Sequence, residues 1–474
     1  MRGTAAALLA SLVLLVSGAA AQNPSSANNP FYGSVTLHPA TGNVIRLSLD
    51  DAIHRGLDTN LGLKEAEAGE LALKGEKNEA LQAFLPSISL SGGTSVHEYN
   101  LAALGFGPGT ISKFSALFPG GFPTNLSLIT KADVTQGQIN FSQTLFSGPV
   151  IAAWKGAKAA EKVAYFTKMT ARGNVVQQVA TSYLHVLAAQ SEVDNRIAQE
   201  RADQVALDNA HAAHEAGIVA GLDELRARVE LQAQQQVRIA AENEREKTLI
   251  LLKREIGIAP GQKVQLTDPT PYSDLAEQTP EEVLAMAYKN RQDYQNLINQ
   301  VEELKAVHSA YRAQRLPSLK FRGYWGTDTV NGAGTHGTFA AVGTLSVPIF
   351  READIRGNED ASQAQLDAAR NELADLREHM NQQVRSALLD AHSASQLVAV
   401  ARSNADLARQ ALSDETERVK AGVDNNLPLV TAQASLASAE ANLVESLFQY
   451  NLAKLNLARA AGVIELQYRQ YLGN

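Results

Sequence analysis

Two stretches of this 474-residue chain repeat each other in order and nearly in spacing. Leu85-Pro86-Ser87 closes a long amphipathic stretch, and Leu316-Pro317-Ser318 does the same 231 residues later. An alternating segment ends at Phe146, and its counterpart ends at Phe350, now at an offset of 204. Gln177-Gln178-Val179 then matches Gln382-Gln383-Val384, Ala216-Gly217 matches Ala421-Gly422, and Gly257 matches Gly462, all at an offset of 205. Two copies are too few for a solenoid, which needs at least three stacked repeats. A twofold repeat instead suggests a pseudosymmetric unit that closes a ring with other subunits.

Each copy reads as the same succession of elements. Residues 47–85 carry helical periodicity, and Pro86 ends that helix because its ring disfavours helical geometry in the residue before it. A strand follows, with Ile88 and Leu90 on one face and Ser87, Ser89 and Ser91 on the other. In the second copy, after a helix over 280–315, Leu319 and Phe321 take the apolar places and Ser318, Lys320 and Arg322 the polar ones. The returning strands show Ile139, Phe141 and Leu145, then Gly343, Leu345 and Ile349. Each copy therefore supplies one hairpin, 86–146 and 317–350, with an apolar and a polar face. Such a hairpin suits either a membrane barrel or a soluble sheet packed on helices. Tyr324, Trp325 and Phe339 are expected near the strand ends, where an aromatic girdle sits. The first hairpin tip is longer by 27 residues and runs through Gly105-Phe106-Gly107-Pro108-Gly109 and Pro119-Gly120-Gly121, an irregular exposed loop.

After each hairpin comes a proline-free stretch, 151–216 and 351–421, long enough for a helix of roughly 100 Å. Its apolar positions are sparse (Val175, Val179, Tyr183, Val186, Val193, Ile197), as in a coiled-coil stripe. Each long helix stops at a glycine turn, Ala216 to Gly221 or Ala421 to Asn426, and a shorter helix returns to Gly257 or Gly462. Asp223 and Asn425 or Asn426 are expected caps of the returning helices, with Pro428 tolerated in a first turn. The organisation is then a first repeat over 47–257, an equatorial linker over 258–279, a second repeat over 280–462 and a C-terminal tail over 463–474.

Residues 1–21 read as a secretory signal: Arg2, an apolar run from Ala5 to Val16, and Ala19-Ala20-Ala21 before Gln22. Residues 22–46 follow as an irregular leader. A net charge of −8 gives no basic field for nucleic acid. The absence of cysteine excludes disulfides, thiolate metal sites and lipid attachment through a thiol. After the signal no apolar run approaches the ~18 residues of a transmembrane helix, so any bilayer crossing would use closed strands. Gly332-Ala333-Gly334-Thr335-His336-Gly337 matches the G-x-G-x-x-G pattern, but a strand follows it, which makes it a hairpin tip. His211, His214 and Glu215 share a helix face without further ligands at metal spacing and read as a solvated or interfacial face. The chain shows no catalytic set, no cofactor motif and no metal site, and it reads as a non-enzyme. The two glycine turns are the better candidates, because Asp223 and Asp424 would form carboxylate rings in a symmetric assembly.

The ordered set of landmarks resembles the TolC-type outer-membrane efflux proteins. The resemblance covers residues 47–463 and rests on the two Leu-Pro-Ser segments and on Phe141-Ser142-Gln143-Thr144-Leu145-Phe146. It rests also on the helix turns Ala216-Gly217 to Leu225 and Ala421-Gly422 to Val430. It implies a mainly α fold with a membrane β-barrel: a homotrimer with twelve strands, four per protomer, continued by a twelve-helix periplasmic tunnel. It implies outer-membrane lipid around the barrel, a periplasmic adaptor (membrane fusion) protein at the tunnel mouth, and an inner-membrane pump reached through that adaptor. By resemblance the periplasmic pore constriction falls on Asp223, Asp424 and Asn425, and the adaptor-docking turns on Gly217, Gly221, Gly422, Leu225 and Leu427. The family often carries aspartates where this chain has Pro428 and Thr431, so its gating links differ here. A periplasmic coiled-coil adaptor without a closed barrel is the competing reading.

Overall fold

The computed structural model describes residues 26–35, 39–100, 102, 103, 105, 129–217, 220–269, 271–330, 333–421 and 426–473. The expected signal, most of the first hairpin tip, and Gly422, Asp424 and Asn425 lie outside the described residues. The elements in chain order begin with β1 (Ile45–Leu47), α1 (Leu49–Thr59), α2 (Leu61–Gln82), β2 (Ser87–Asn100) and β3 (Ile129–Ser147). The long helix α3 (Gly148–Glu215), the return helix α4 (Gly221–Glu255) and β4 (Val264–Leu266) complete the first half. The second half contains α5 (Pro280–Asn290), α6 (Gln292–Ala313), β5 (Ser318–Val330), β6 (Thr335–Ser346), α7 (Glu352–Lys420), α8 (Asn426–Ala460) and α9 (Ile464–Leu472). The described residues form two compact units, those within 1–71, 163–298 and 372–474 in one, and those within 72–162 and 299–371 in the other. Both units draw on both copies of the repeat, and several unit boundaries fall inside helices.

The first unit has a core of small and branched side chains. Val175, Val179 and Tyr183 of α3, Leu252 of α4, Met380 and Val384 of α7, and Leu455 and Leu457 of α8 are fully buried. The helices expected to run unbroken over 47–85 and 280–315 are each interrupted once, at Asn60 and at Arg291. Both residues are extended; the Asn60 side chain accepts from the Gly62 N–H just past the break and donates to Phe31 O, whereas the Arg291 side chain is held by the Asp293 carboxylate and Gln383. The leader and the linker carry more structure than their composition suggests. β1 and β4 pair in parallel, with Ile45 opposite Val264 and Leu47 opposite Leu266. The Tyr183 hydroxyl donates to Leu47 O at 3.1 Å and to Asp268 Oδ2 at 3.0 Å, which ties that small sheet to α3. The segment read as a C-terminal tail contains α9, with Ile464, Tyr468, Tyr471 and Leu472 buried. Its Tyr468 and Arg469 both reach Asp50, at 2.6 and 2.9 Å.

The second unit holds an antiparallel sheet in the order β2-β3-β5-β6. Ile88 pairs with Phe141 and Leu90 with Ile139; the β3–β5 pairing then joins the two hairpins, Ile139 lying opposite Trp325. A register shift between Thr144 and Phe146 marks a bulge at the base of β3. β6 ends at Ser346, short of the expected Phe350, because Pro348 has no N–H to give a ladder. Ile349 and Phe350 are exposed beyond it. Trp325 and Phe339 face each other in mid-strand, not at the strand ends as expected, and Tyr324 points to the opposite face. Next to the sheet, Phe84 meets the Trp154 ring edge-on at 6.2 Å and Lys77 pairs with Glu161. Gly148 is required there: a Cβ would stand 2.9 Å from Ala313 Cβ and Leu316 Cδ1.

Candidate functional site

Partners across an antiparallel ladder share a face, so the register sorts the sheet. One face carries Ile88, Leu90, Ile139, Phe141, Trp325, Phe339 and Leu345. The other carries Ser89, Ser91, Gln138, Asn140, Lys320 and Arg322. The apolar face is open: Leu90 is 81% exposed and Phe339 77%. A sheet packed on the chain's own helices, one of the two uses open to these strands, is therefore not what forms. Strands of 14, 19, 13 and 12 residues all exceed the ~9–11 residues that a tilted strand needs to cross a bilayer. Among the described residues no helix is long and apolar enough to do so.

The first helical turn is built on Gly217, whose φ of +71° is a left-handed conformation that glycine adopts without strain. The N–H groups of Ala216 and Gly217 close the end of α3 on Ala212 O and His214 O. Gly221 opens α4, and a Cβ there would stand 3.2 Å from the His214 ring. Asp223 is not the cap expected of it. Ala220 occupies the N-cap without a side-chain bond, while Asp223 lies inside the first turn and accepts from Arg226 at 3.3 Å. There it still complements the positive end of the helix dipole. Leu225 is 55% exposed and lines up with Leu222 and Val229, also exposed. That stripe follows i, i+3, i+7 spacing, a periodicity present in the sequence, although the family resemblance points to Leu225 alone.

Sequence reasoning did not find the polar clasp beside this stripe. His211 on α3 lies between Glu215 at 3.4 Å and Glu224 of α4 at 3.3 Å, and Arg228 holds Glu224 at 2.8 Å. Deeper in the pair, burial pushes the Asp203 carboxyl up to about 6, against a hydrogen bond from Gln199 and with Glu230 adding to the rise. At the second turn α8 starts at Asn426 and takes Pro428 in its first turn, as expected. Of Leu427 only its place in that turn is described, and Gly422, Asp424 and Asn425 lie outside the described residues. Arg409 of α7 reaches Glu440 of α8 at 3.2 Å.

A family model described as outer membrane efflux protein matches residues 52–257 and 283–463. The chain belongs to the outer membrane efflux protein family. The two matched stretches begin within α1 and α5 and end at Gly257 and just past Gly462, so they follow the duplication. The sequence is 26% identical over 208 residues to Outer membrane protein OprJ of Pseudomonas aeruginosa. That stretch spans 43% of this chain and 42% of OprJ, less than half of the relative. Among solved structures, the crystal structure of a membrane protein from Pseudomonas aeruginosa matches with a TM-score of 0.73 at 19% identity, over 87% of this chain and 93% of that one. The Campylobacter jejuni CmeC outer membrane channel matches with a TM-score of 0.71 at 15% identity, over 92% of each chain. At those identities the likeness is one of fold.

Proposed function

We propose that three copies of this chain form the exit duct of a tripartite efflux or type I secretion system, which conducts substrates passively from an inner-membrane pump and a periplasmic adaptor to the exterior. The observation that carries this reading is the sheet. Among the described residues its outer strands β2 and β6 each leave one edge unpaired, and its apolar face is exposed. Open edges seek partners, and a wide apolar face seeks lipid. Three four-stranded sheets joined edge to edge make a twelve-stranded barrel, lipid outside and the polar face within. The helices continue it as a periplasmic tunnel of twelve, four columns from each copy.

In this reading Asp223, Asp424 and Asn425 surround the periplasmic mouth, and Gly217, Gly221, Gly422, Leu225 and Leu427 seat the adaptor. The exposure of Leu225 and the tight backbone at Gly217 support that assignment of the first turn. No step of the function requires chemistry on the substrate. Sizing of the detergent-solubilised protein tests the assembly. A trimer is expected, and a monomer of unchanged helicity would remove the closed tube.

A further inference from the structure

The charges on the polar face of the sheet are segregated. Lys320 and Arg322 stand two residues apart on β5, on one face and both exposed. Their cross-strand neighbours are neutral: Thr144 and Thr344 flank Lys320, and Ser142 and Val342 flank Arg322. The two cations border an open hollow of about 400 Å³ that is also lined by Gln82, Ser87, Ser142 and Thr144. Among the described residues of that face the one carboxylate is Asp328, opposite Gln136 and His336. At ~3.3 Å per residue it lies about 20 Å along the strand from Arg322, beyond the ~8–10 Å over which salt leaves charges coupled.

Three acids at the start of α7 are already taken. Glu352 is held by Arg315 and Arg356, Glu359 by Arg315, and Asp354 by Arg351. The carboxyl of Glu352 falls to about 2 under the hydrogen bonds from those two arginines. Polar hydroxyls and amides surround the Lys320–Arg322 pair, and no fixed anion among the described residues neutralises it. A pair of exposed cations on a neutral, water-facing wall concentrates mobile anions, and an arginine fork adds a specific grip on carboxylate or phosphate oxygens.

We propose that Lys320 and Arg322 form an anion-selective station on the inner wall of the duct, where the strands meet the helices. It favours passage of solutes bearing carboxylate or phosphate groups. This rests on the duct reading, because only closure into a barrel turns the polar face into a wall. Three copies then place six cations in one ring, which acts as a charged selectivity ring does in other pores.

Wild-type protein and the variant K320Q/R322Q are compared in planar bilayers under a potassium chloride gradient, reading the reversal potential. The wild-type chloride-to-potassium permeability ratio is expected to fall at least ~2-fold in the double variant and further in K320E/R322E. Equal ratios in all three, with conductance steps present, overturn the station while leaving the duct intact. Absence of any conductance from the wild type removes the duct reading and this inference with it. Should the double variant fail to insert, the single variants K320Q and R322Q carry the same comparison: a lowered ratio supports the station, and a ratio equal to the wild type overturns it.

Discussion

Asn60 and Arg291 stand 231 positions apart, at the same place in the two copies, and each interrupts a helix with one extended residue. In both, the backbone N–H still reaches four residues back, Asn60 to Gly56 O and Arg291 to Ala287 O, each at 2.9 Å. The side chains then diverge. Asn60 donates to Phe31 O at 2.7 Å and accepts from the Gly62 N–H at 3.0 Å. Arg291 grips Asp293 with two nitrogens and Gln383 with a third. The duplication keeps the bend and changes the device that holds it.

Removing either device should loosen the first unit. Asn60→Ala leaves a carbonyl and an N–H without their partner, at ~1–3 kcal/mol. Arg291→Met strands Asp293 and Gln383 at about 2 kcal/mol, less than a fully buried pair because Asp293 keeps contact with water. Thermal unfolding midpoints of the detergent-solubilised protein report both; unchanged midpoints would show that the bends hold without these side chains.

Gly462 locks the second bend from outside. Its φ is +76°, and a Cβ there would stand 2.6 Å from Arg291 N and 2.8 Å from Asn290 C, both backbone atoms that cannot rotate away. Gly462→Ala should cost ~2 kcal/mol or more. Gly357→Ala is the control: it lies in α7 with nothing within 4 Å, and should stabilise by up to ~1 kcal/mol. Chemical denaturation of the two variants should give shifts of opposite sign.

Glu255 makes the first unit sensitive to base. Burial pushes its carboxyl from 4.5 up to about 8, against hydrogen bonds from Ser182 and Gln178. Because the folded value exceeds the unfolded one, the neutral form is the one that folding favours. Stability is fully present below about 4.5 and is lost as pH rises through 8. The midpoint of the wild type should therefore fall between pH 5 and pH 9, by ~2–4 °C for each kcal/mol lost. Glu255→Gln should flatten that fall, and parallel pH curves for the two proteins would clear Glu255 of the effect.

The turns offer a separation of folding from docking. Nothing lies within 4 Å of a Cβ on Gly217, so substitution there meets only the backbone penalty of its positive φ. Gly217→Asn, which tolerates that conformation, should insert and export as the wild type does. Gly217→Arg should insert yet lose most export, measured as dye efflux in cells supplied with the adaptor and pump. Export preserved in Gly217→Arg would move the docking surface elsewhere.

Conductance reports the mouth. Asp424→Ala should lower the preference for potassium over chloride, roughly 2-fold if three carboxylates line the narrowest ring. An unchanged permeability ratio would show that Asp424 faces away from the passage.

The alternation of Ile88 and Leu90 with serines, the long proline-free stretches and the glycines at 217, 257 and 462 were enough to name the elements and the family. Those signals are local: period, chain stiffness and left-handed backbone are properties of a few neighbouring residues. Tertiary structure decided where the helices bend, since Asn60 and Arg291 break them only because Phe31, Asp293 and Gln383 stand ready to bond them. It decided that the leader and the linker pair as strands, contacts more than 200 residues apart that no periodicity encodes. It also decided which sheet face stays open. A sequence can state that a strand is apolar on one side, but only the register across β2, β3, β5 and β6 gathers those sides into one surface, and Lys320 and Arg322 onto the other.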